Sequence, residues 1–390
     1  MDKLSKIIKA KPIIFILWFG LSLFHVVKSV VLGHSHIHNN YFVFKYNFLH
    51  VIHQQNLYLE YPENYYDLNH YGPVFAFVMA PFAILPDSVG VILWVIFTSW
   101  ILLKAIQLLP IKHEQYLLIL LLCAHELMTS AASVQSNPII VALIILSFVF
   151  IKKEQDFWGA LMIALGMFVK LYGVVGLAFF FFSNHKIKLI GSLIFWSVVL
   201  FLLPMAISSP AFIVQTYKDW LADLLYKNNN NESSLMSDIS FLGFIRKTTG
   251  LYINVLYGCA VAGVLLLMAL LRTKMHAIKA YQLLILSYVL LCVVLFNTNV
   301  ESPTYIIGFV GVAIWFIVVE KNSYTYFLLI FALVLTSLSP SDLFPAYIRN
   351  TYVIPYALKA VPCILIWFDI TYRLLFTTFK NTPSLDTGHA

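Results

Sequence analysis

Apolar residues in this 390-residue chain come in runs separated by short polar breaks. A run of about 20 apolar residues is long enough for a helix to cross a bilayer, and lipid offers no partner for backbone N–H and C=O groups, so such runs must be helices or halves of broken ones. The pattern predicts spans at roughly 12–32, 71–86, 88–109, 115–130, 136–151, 157–182, 187–207, 250–272, 280–297, 304–319, 324–338 and 355–377, about twelve in all. The expected fold is all-α and polytopic. Segments 71–86, 115–130 and 136–151 are short for a hydrocarbon core about 30 Å thick, which predicts tilted, broken or re-entrant helices there.

The polar breaks orient the chain. With both ends inside, Lys186, Lys188, Arg272, Lys274, Lys279, Lys321, Arg373 and Lys380 fall at cytoplasmic ends, as the positive-inside bias asks; Lys152 and Lys153 fall outside and disagree. Met1–Lys11 carries four lysines, and no small-residue cleavage site follows the run from Pro12 to Leu32, which reads as an uncleaved first span. Residues 1–379 read as one transmembrane domain, and 380–390 as a polar tail. Two outer segments are long, 33–70 and 208–249, and long loops in compact domains are usually functional or disordered.

Within the first loop, Phe44, Phe48, Val51 and Ile52 recur at helical spacing over residues 41–55, predicting an amphipathic helix at the membrane surface. The stretch from Tyr58 through Glu60, Glu63, Tyr66, Asp67 and His70 to Tyr71-Gly72-Pro73 then sets aromatic faces beside carboxylates. Sugars are held this way, C–H faces on rings and hydroxyls on polar side chains; an interfacial aromatic belt would enrich tyrosine as well.

Composition changes this picture only by confirming its class. Apolar residues make up 61% and charged residues 11%, with a mean hydropathy of +0.84, which excludes an ordinary soluble domain. The formal charge of +7 suggests nucleic acid in a soluble protein; here the cytoplasmic lysines and arginines account for it. Cys123, Cys259, Cys292 and Cys363 lie in or beside apolar stretches with no metal-type spacing and read as small apolar residues.

A few polar residues interrupt apolar runs and carry the candidate chemistry. Lys170, followed by Leu171-Tyr172-Gly173, would cost several kcal/mol in lipid and should face protein, water or an anion such as phosphate, unless it snorkels from a helix end. His125 and Glu126, and Gln135-Ser136-Asn137-Pro138, line a polar cavity or merely bond between helices. Arg246 and Lys247 form a positive pair at a membrane boundary, suited to phosphate. Glu301 opens a helix where the dipole favours a carboxylate. His34, His36 and His38 alternate as metal ligands can, although polar residues at a span end explain them more simply, and Asn231-Glu232-Ser233 is a weak glycosylation sequon. No nucleotide loop, Ser-His-Asp signature or zinc motif occurs, so no cofactor is called for and a divalent metal has no motif behind it.

In order along the chain, Asn40-Tyr41-Phe-Val-Phe44, Asn56-Leu-Tyr58, Tyr71-Gly-Pro73, Gln135-Ser-Asn137, Lys170-Leu-Tyr172 and Glu301-Ser-Pro-Thr-Tyr305 resemble the GT-C class of membrane glycosyltransferases, in particular glycosyltransferase family 87. The resemblance implies inverting transfer of a mannose-like or arabinose-like sugar from a polyprenyl-phosphate donor to a lipid- or glycan-linked acceptor, at the non-cytoplasmic face of a bacterial inner membrane. The candidates for the donor phosphate are Lys170, Tyr172, Arg246 and Lys247, and those for the substrates are Asn40, Tyr41, Tyr58, Tyr66, Tyr71, Gln135, Asn137, Glu301 and Tyr305. Family members typically carry an aspartate just after the first span, where this chain has Asn39-Asn40. The base is therefore expected elsewhere, at Asp67 first, then Glu60, Glu63 or His70. A lipid-linked-sugar flippase or an inactive assembly subunit is the rival reading. A carrier should place polar groups at mid-bilayer in both halves, whereas here they concentrate in outer loops.

Overall fold

A computed structural model of the chain describes residues 11–33, 38–231 and 237–379. His34, His36, Glu232, Ser233 and the tail 380–390 lie outside the described residues. Helix accounts for 77% of the structure, and no strand occurs among the described residues. The main helices in order are α1 (Lys11–Val31), α2 (Asn39–His53), α3 (Phe75–Ala83), α4 (Asp87–Gln107), α5 (His113–Ala132), α6 (Asn137–Lys152) and α7 (Asp156–Val169), then a 3-10 helix (Leu171–Phe182). They continue as α8 (Lys186–Leu202), α9 (Pro210–Asn231), α10 (Phe241–Thr249), α11 (Val255–Leu270), α12 (Lys279–Leu295), α13 (Tyr305–Val318), α14 (Ser323–Phe331) and α15 (Val361–Phe376).

By length and apolar character, four of the described helices can cross a membrane, α1, α4, α5 and Lys186–Ala206; a fifth counts if the pair Ala346–Val353 and Leu358–Phe376, bent by 90°, is one span. Seven further apolar helices run 10–17 residues. Most expected spans therefore exist as helices, several of them shorter than a straight crossing needs. The expected run 71–86 contains only the nine-residue α3, and 157–182 breaks at Lys170.

The segment 208–249 is not a loop. It holds α9, opened by Ser209, whose Oγ accepts from Phe212 N–H, and α10, capped by Ser240 accepting from Gly243 N–H and ended by Gly250 at φ 74°. The stop follows from geometry, since only glycine enters the left-handed region without steric cost.

Chain contacts divide the protein into two compact units, residues 19–108 with 128–229, and residues 1–18 with 109–127 and 230–390. In the first, α6 packs on α7, α7 on α8, and α2 on α3. The face of α2 that is buried comprises Tyr41, Val43, Phe44, Asn47, His50 and Val51, while Ile52, expected on that face, is exposed. Phe44 meets Tyr71, Phe75 and Trp94 edge-on at centroid separations of 5.0, 5.1 and 5.6 Å, the edge-to-face arrangement that aromatic quadrupoles favour. In the second unit α12 packs on α13 along Gly308 and Gly311, where Ser287 Oγ donates to Gly311 O at 2.6 Å, and α15 packs against α12.

Candidate functional site

The first unit is organised around the turn Asn69–Pro73. Gly72 N–H donates to Val169 O at 3.2 Å, Trp220 Nε1 donates to His70 O at 3.0 Å, and Tyr58 Oη donates to Tyr71 O at 3.1 Å. The Tyr71 hydroxyl meets Ser136 Oγ at 2.7 Å, and His70 Nδ1 meets Asp223 Oδ2 at 2.7 Å. Helix α7, helix α9, the start of the loop and the turn before α6 thus converge on five residues. Glycine is required at 72, because a Cβ there would stand 2.2 Å from Phe168 O and 3.0 Å from the Trp220 ring. The neighbouring turn is strained as well: Val134, a β-branched residue, sits at φ 52°. Its carbonyl accepts from Trp94 Nε1, and Ser133 O accepts from Asn40 Nδ2 at 2.7 Å.

Lys170 stands where α7 ends and the 3-10 helix begins, in extended backbone at φ −160°, ψ 100°. Close approach of Gly166 to Gly173 makes this break compact, since a Cβ on Gly173 would lie 2.3 Å from the Gly166 carbonyl carbon. The ammonium lies 5.2 Å from the Tyr71 ring centroid and 5.0 Å from that of Tyr172, and no carboxylate pairs with it among the described residues. Two aromatic faces hold the cation by their quadrupoles without neutralising it, which leaves its charge for an anion.

The His70–Asp223 pair is buried, with side chains 11% and 5% exposed. An ionised carboxylate only accepts, so Nδ1 carries the proton and Asp223 fixes both the tautomer and the ring plane. Four residues earlier on α9, Asp219 accepts from Asn56 Nδ2 at 3.2 Å and from Gln215 Nε2 at 2.8 Å. Burial, then the Asp223, Tyr217 and Asp219 side chains, push the Tyr58 hydroxyl well above its ordinary pKa, so it stays a hydrogen-bond donor.

The structure thus joins Tyr58, His70, Tyr71, Lys170 and Tyr172 of the expected site residues. Asn40 and Tyr41 lie at the start of α2 with their side chains on backbone carbonyls, Tyr41 donating to Phe82 O at 2.9 Å. Asn137 is buried at the start of α6 and Gln135 half-buried before it. Glu60, Glu63, Tyr66 and Asp67 are exposed; the Asp67 carboxylate accepts from Leu68 N–H, and none of the three carboxylates forms an ion pair with Lys170. His38 meets Ser29 Oγ through Nε2 at 2.5 Å.

Arg246, Lys247, Glu301 and Tyr305 belong to the second unit. Arg246 is committed to the buried carboxylate of Asp238, and Lys247 Nζ donates to Ser237 O at 2.9 Å. Burial, then the Arg246 charge, press the Lys247 pKa down to about 8. Glu301 caps the turn before α13 together with Thr304, and Tyr305 Oη donates to Ile239 O at 2.7 Å. Beside them Lys359 Nζ donates to both Glu126 oxygens at 3.1 and 3.3 Å and to Ser302 Oγ at 3.0 Å, over the Tyr305 ring.

Asp219, Asp223, Trp220 and Lys359 did not figure among the expected site residues. For the α9 group a signal existed: Thr216, Asp219, Trp220 and Asp223 recur at helical spacing, the mark of one helix face.

Apolar helices packed around a buried, multiply clamped polar turn fit a membrane protein. The model of glycosyltransferase family 87 matches residues 69–303, from the first residue of that turn to the Glu301-Ser-Pro stretch. The chain belongs to glycosyltransferase family 87, which implies a membrane glycosyltransferase. No curated protein matches the chain.

Proposed function

We propose that the protein transfers one sugar, mannose-like or arabinose-like, with inversion, from a polyprenyl-phosphate donor to a lipid- or glycan-linked acceptor at the non-cytoplasmic face of a bacterial inner membrane. The observation that carries the reading is Lys170, a cation held by two tyrosine rings and paired with no carboxylate among the described residues, with Tyr71 next in the chain to His70 of the His70–Asp223 pair. The acceptor oxygen attacks the anomeric carbon, the bond from that carbon to the phosphate oxygen breaks, and the electron pair leaves with the phosphate. Lys170 stabilises the charge gathering there. A base takes the acceptor proton, and His70, oriented through Nδ1 by Asp223, supplies it at Nε2. This choice displaces Asp67, which lies exposed with its carboxylate turned to its own backbone.

Transfer from a radiolabelled polyprenyl-phosphate mannose or arabinose by purified protein tests it. Lys170→Met should lower the rate by about 100-fold or more, and His70→Ala should abolish transfer while Asp67→Asn leaves it intact; loss in Asp67→Asn alone reverses the base assignment. A second reading is favoured by Asn40: its amide donates to Ser133 O, which an ionised aspartate could not do. If no such donor yields transfer and the protein instead moves lipid-linked sugar across vesicles, it is a carrier. If it does neither, it is an assembly subunit.

A further inference from the structure

Residues 62–66 and the first turn of α2 enclose a cavity of about 160 Å³, lined among others by Asn39, Phe42, Glu63, Asn64, Tyr65 and Tyr66. Sites that enclose drug-sized ligands run roughly 300–1,000 Å³, so this one takes a single ring. Its walls combine flat aromatic faces with amide and carboxylate groups. Tyr66 N–H donates to Asn39 Oδ1 at 2.8 Å, pinning the loop to the helix, and the Asn39 Nδ2 has no hydrogen-bond partner among the described residues. The Tyr65 ring is wedged among Tyr46, Tyr61 and His50, at centroid separations of 5.7, 6.0 and 6.3 Å. Its hydroxyl is buried, with 3% of the residue exposed, and no group among the described residues bonds to it. That oxygen has no surface open to the cavity, so Tyr65 serves to hold the loop by ring packing. Tyr66, by contrast, is 81% exposed at the rim, a free aromatic platform.

We infer that this cavity binds one sugar ring of the acceptor glycan, its C–H face on Tyr66 and its hydroxyls bonded to Asn39 Nδ2 and the Glu63 carboxylate. The chemistry selects against the other occupants: the lining has no lysine or arginine for a phosphate, the Glu63 charge repels one, and the volume is too small for a peptide strand. The assignment rests on the transferase reading only in calling the sugar the acceptor's; that a neutral sugar ring binds here stands on the cavity itself.

Saturation-transfer NMR on the purified full chain, in a detergent without a sugar headgroup, tests it with the methyl glycosides of mannose, glucose, galactose and arabinose, and with sorbitol as an open-chain polyol. At least one glycoside should bind and sorbitol should not. Tyr66→Ala should weaken binding by about 10-fold and Glu63→Ala by about 3- to 10-fold. The inference is overturned if no glycoside binds, if sorbitol binds equally, or if the Tyr66 and Glu63 substitutions have no effect. Binding that persists in a protein without transfer activity keeps the cavity and sinks the transferase reading; transfer without glycoside binding does the opposite.

Discussion

Replacing Lys359 by methionine breaks a fully buried ion pair in the second unit. The lysine side chain is 3% exposed and the Glu126 carboxylate 0%, and three hydrogen bonds of 3.0–3.3 Å hold the ammonium. Methionine matches the stem but leaves the Glu126 carboxyl buried with its lysine partner gone. Breaking one side of a buried pair costs about 3–5 kcal/mol, whereas replacing both sides by neutral groups is often close to neutral. For 390 residues at about 2.1 cal/mol/K each, the unfolding entropy is about 0.8 kcal/mol/K, so the single substitution should lower the melting temperature by about 4–6 °C. Lys359→Met combined with Glu126→Gln should recover at least half of that. The assay is thermal unfolding of purified protein followed by intrinsic fluorescence, with Glu126→Gln as the fourth corner of the cycle. A double variant that melts as low as the sum of the two singles would refute the reasoning, because it would mean that the residues act independently of each other.

Three further outcomes are expected. Asp223→Asn should lower sugar transfer by about 100-fold or more and shift its pH profile, since the amide no longer fixes the His70 tautomer; an unchanged profile would assign Asp223 to packing alone. Gly72→Ala, which drives a methyl against Phe168 O and the Trp220 ring, should destabilise by about 1–3 kcal/mol and show in the same melting assay. His50 is 2% exposed, and its pKa is lowered from 6.5 to about 4, by burial first and by His53 second, with Glu63 opposing. It therefore contributes stability that is present above pH 6.5 and lost as pH falls toward 4, up to about 3 kcal/mol. Melting curves of His50→Gln should lose that part of the acid dependence; equal acid slopes in both proteins would contradict it.

The apolar runs were legible because lipid permits one solution for them, and the matches at α6, α12 and α13 fall within a residue or two. Lys170 was legible for the same reason: a charge inside an apolar run has few places to go. Residues 208–249 misread as a loop because their helices are polar, and hydropathy does not register a helix whose inward face is Thr216, Trp220 and Asp223. Partners were the hardest to see. Asp223 meets His70 from 153 residues away and Lys359 meets Glu126 from 233, and no local pattern marks pairs at such separations. Arg246 looked available to a phosphate because its partner Asp238 is eight positions back, ahead of α10 in a left-handed conformation at φ 55° that the sequence does not announce.

The contact of Gly166 with Gly173 bears on Lys170 in another way. Because two backbones touch there, the depth at which the cation sits is fixed by the main chain and cannot be adjusted by sliding one helical piece along the other. If the donor is the lipid phosphate proposed above, the site behaves as a gauge: the phosphate must come to the height of Lys170, and the lipid tail attached to it has to accommodate the difference.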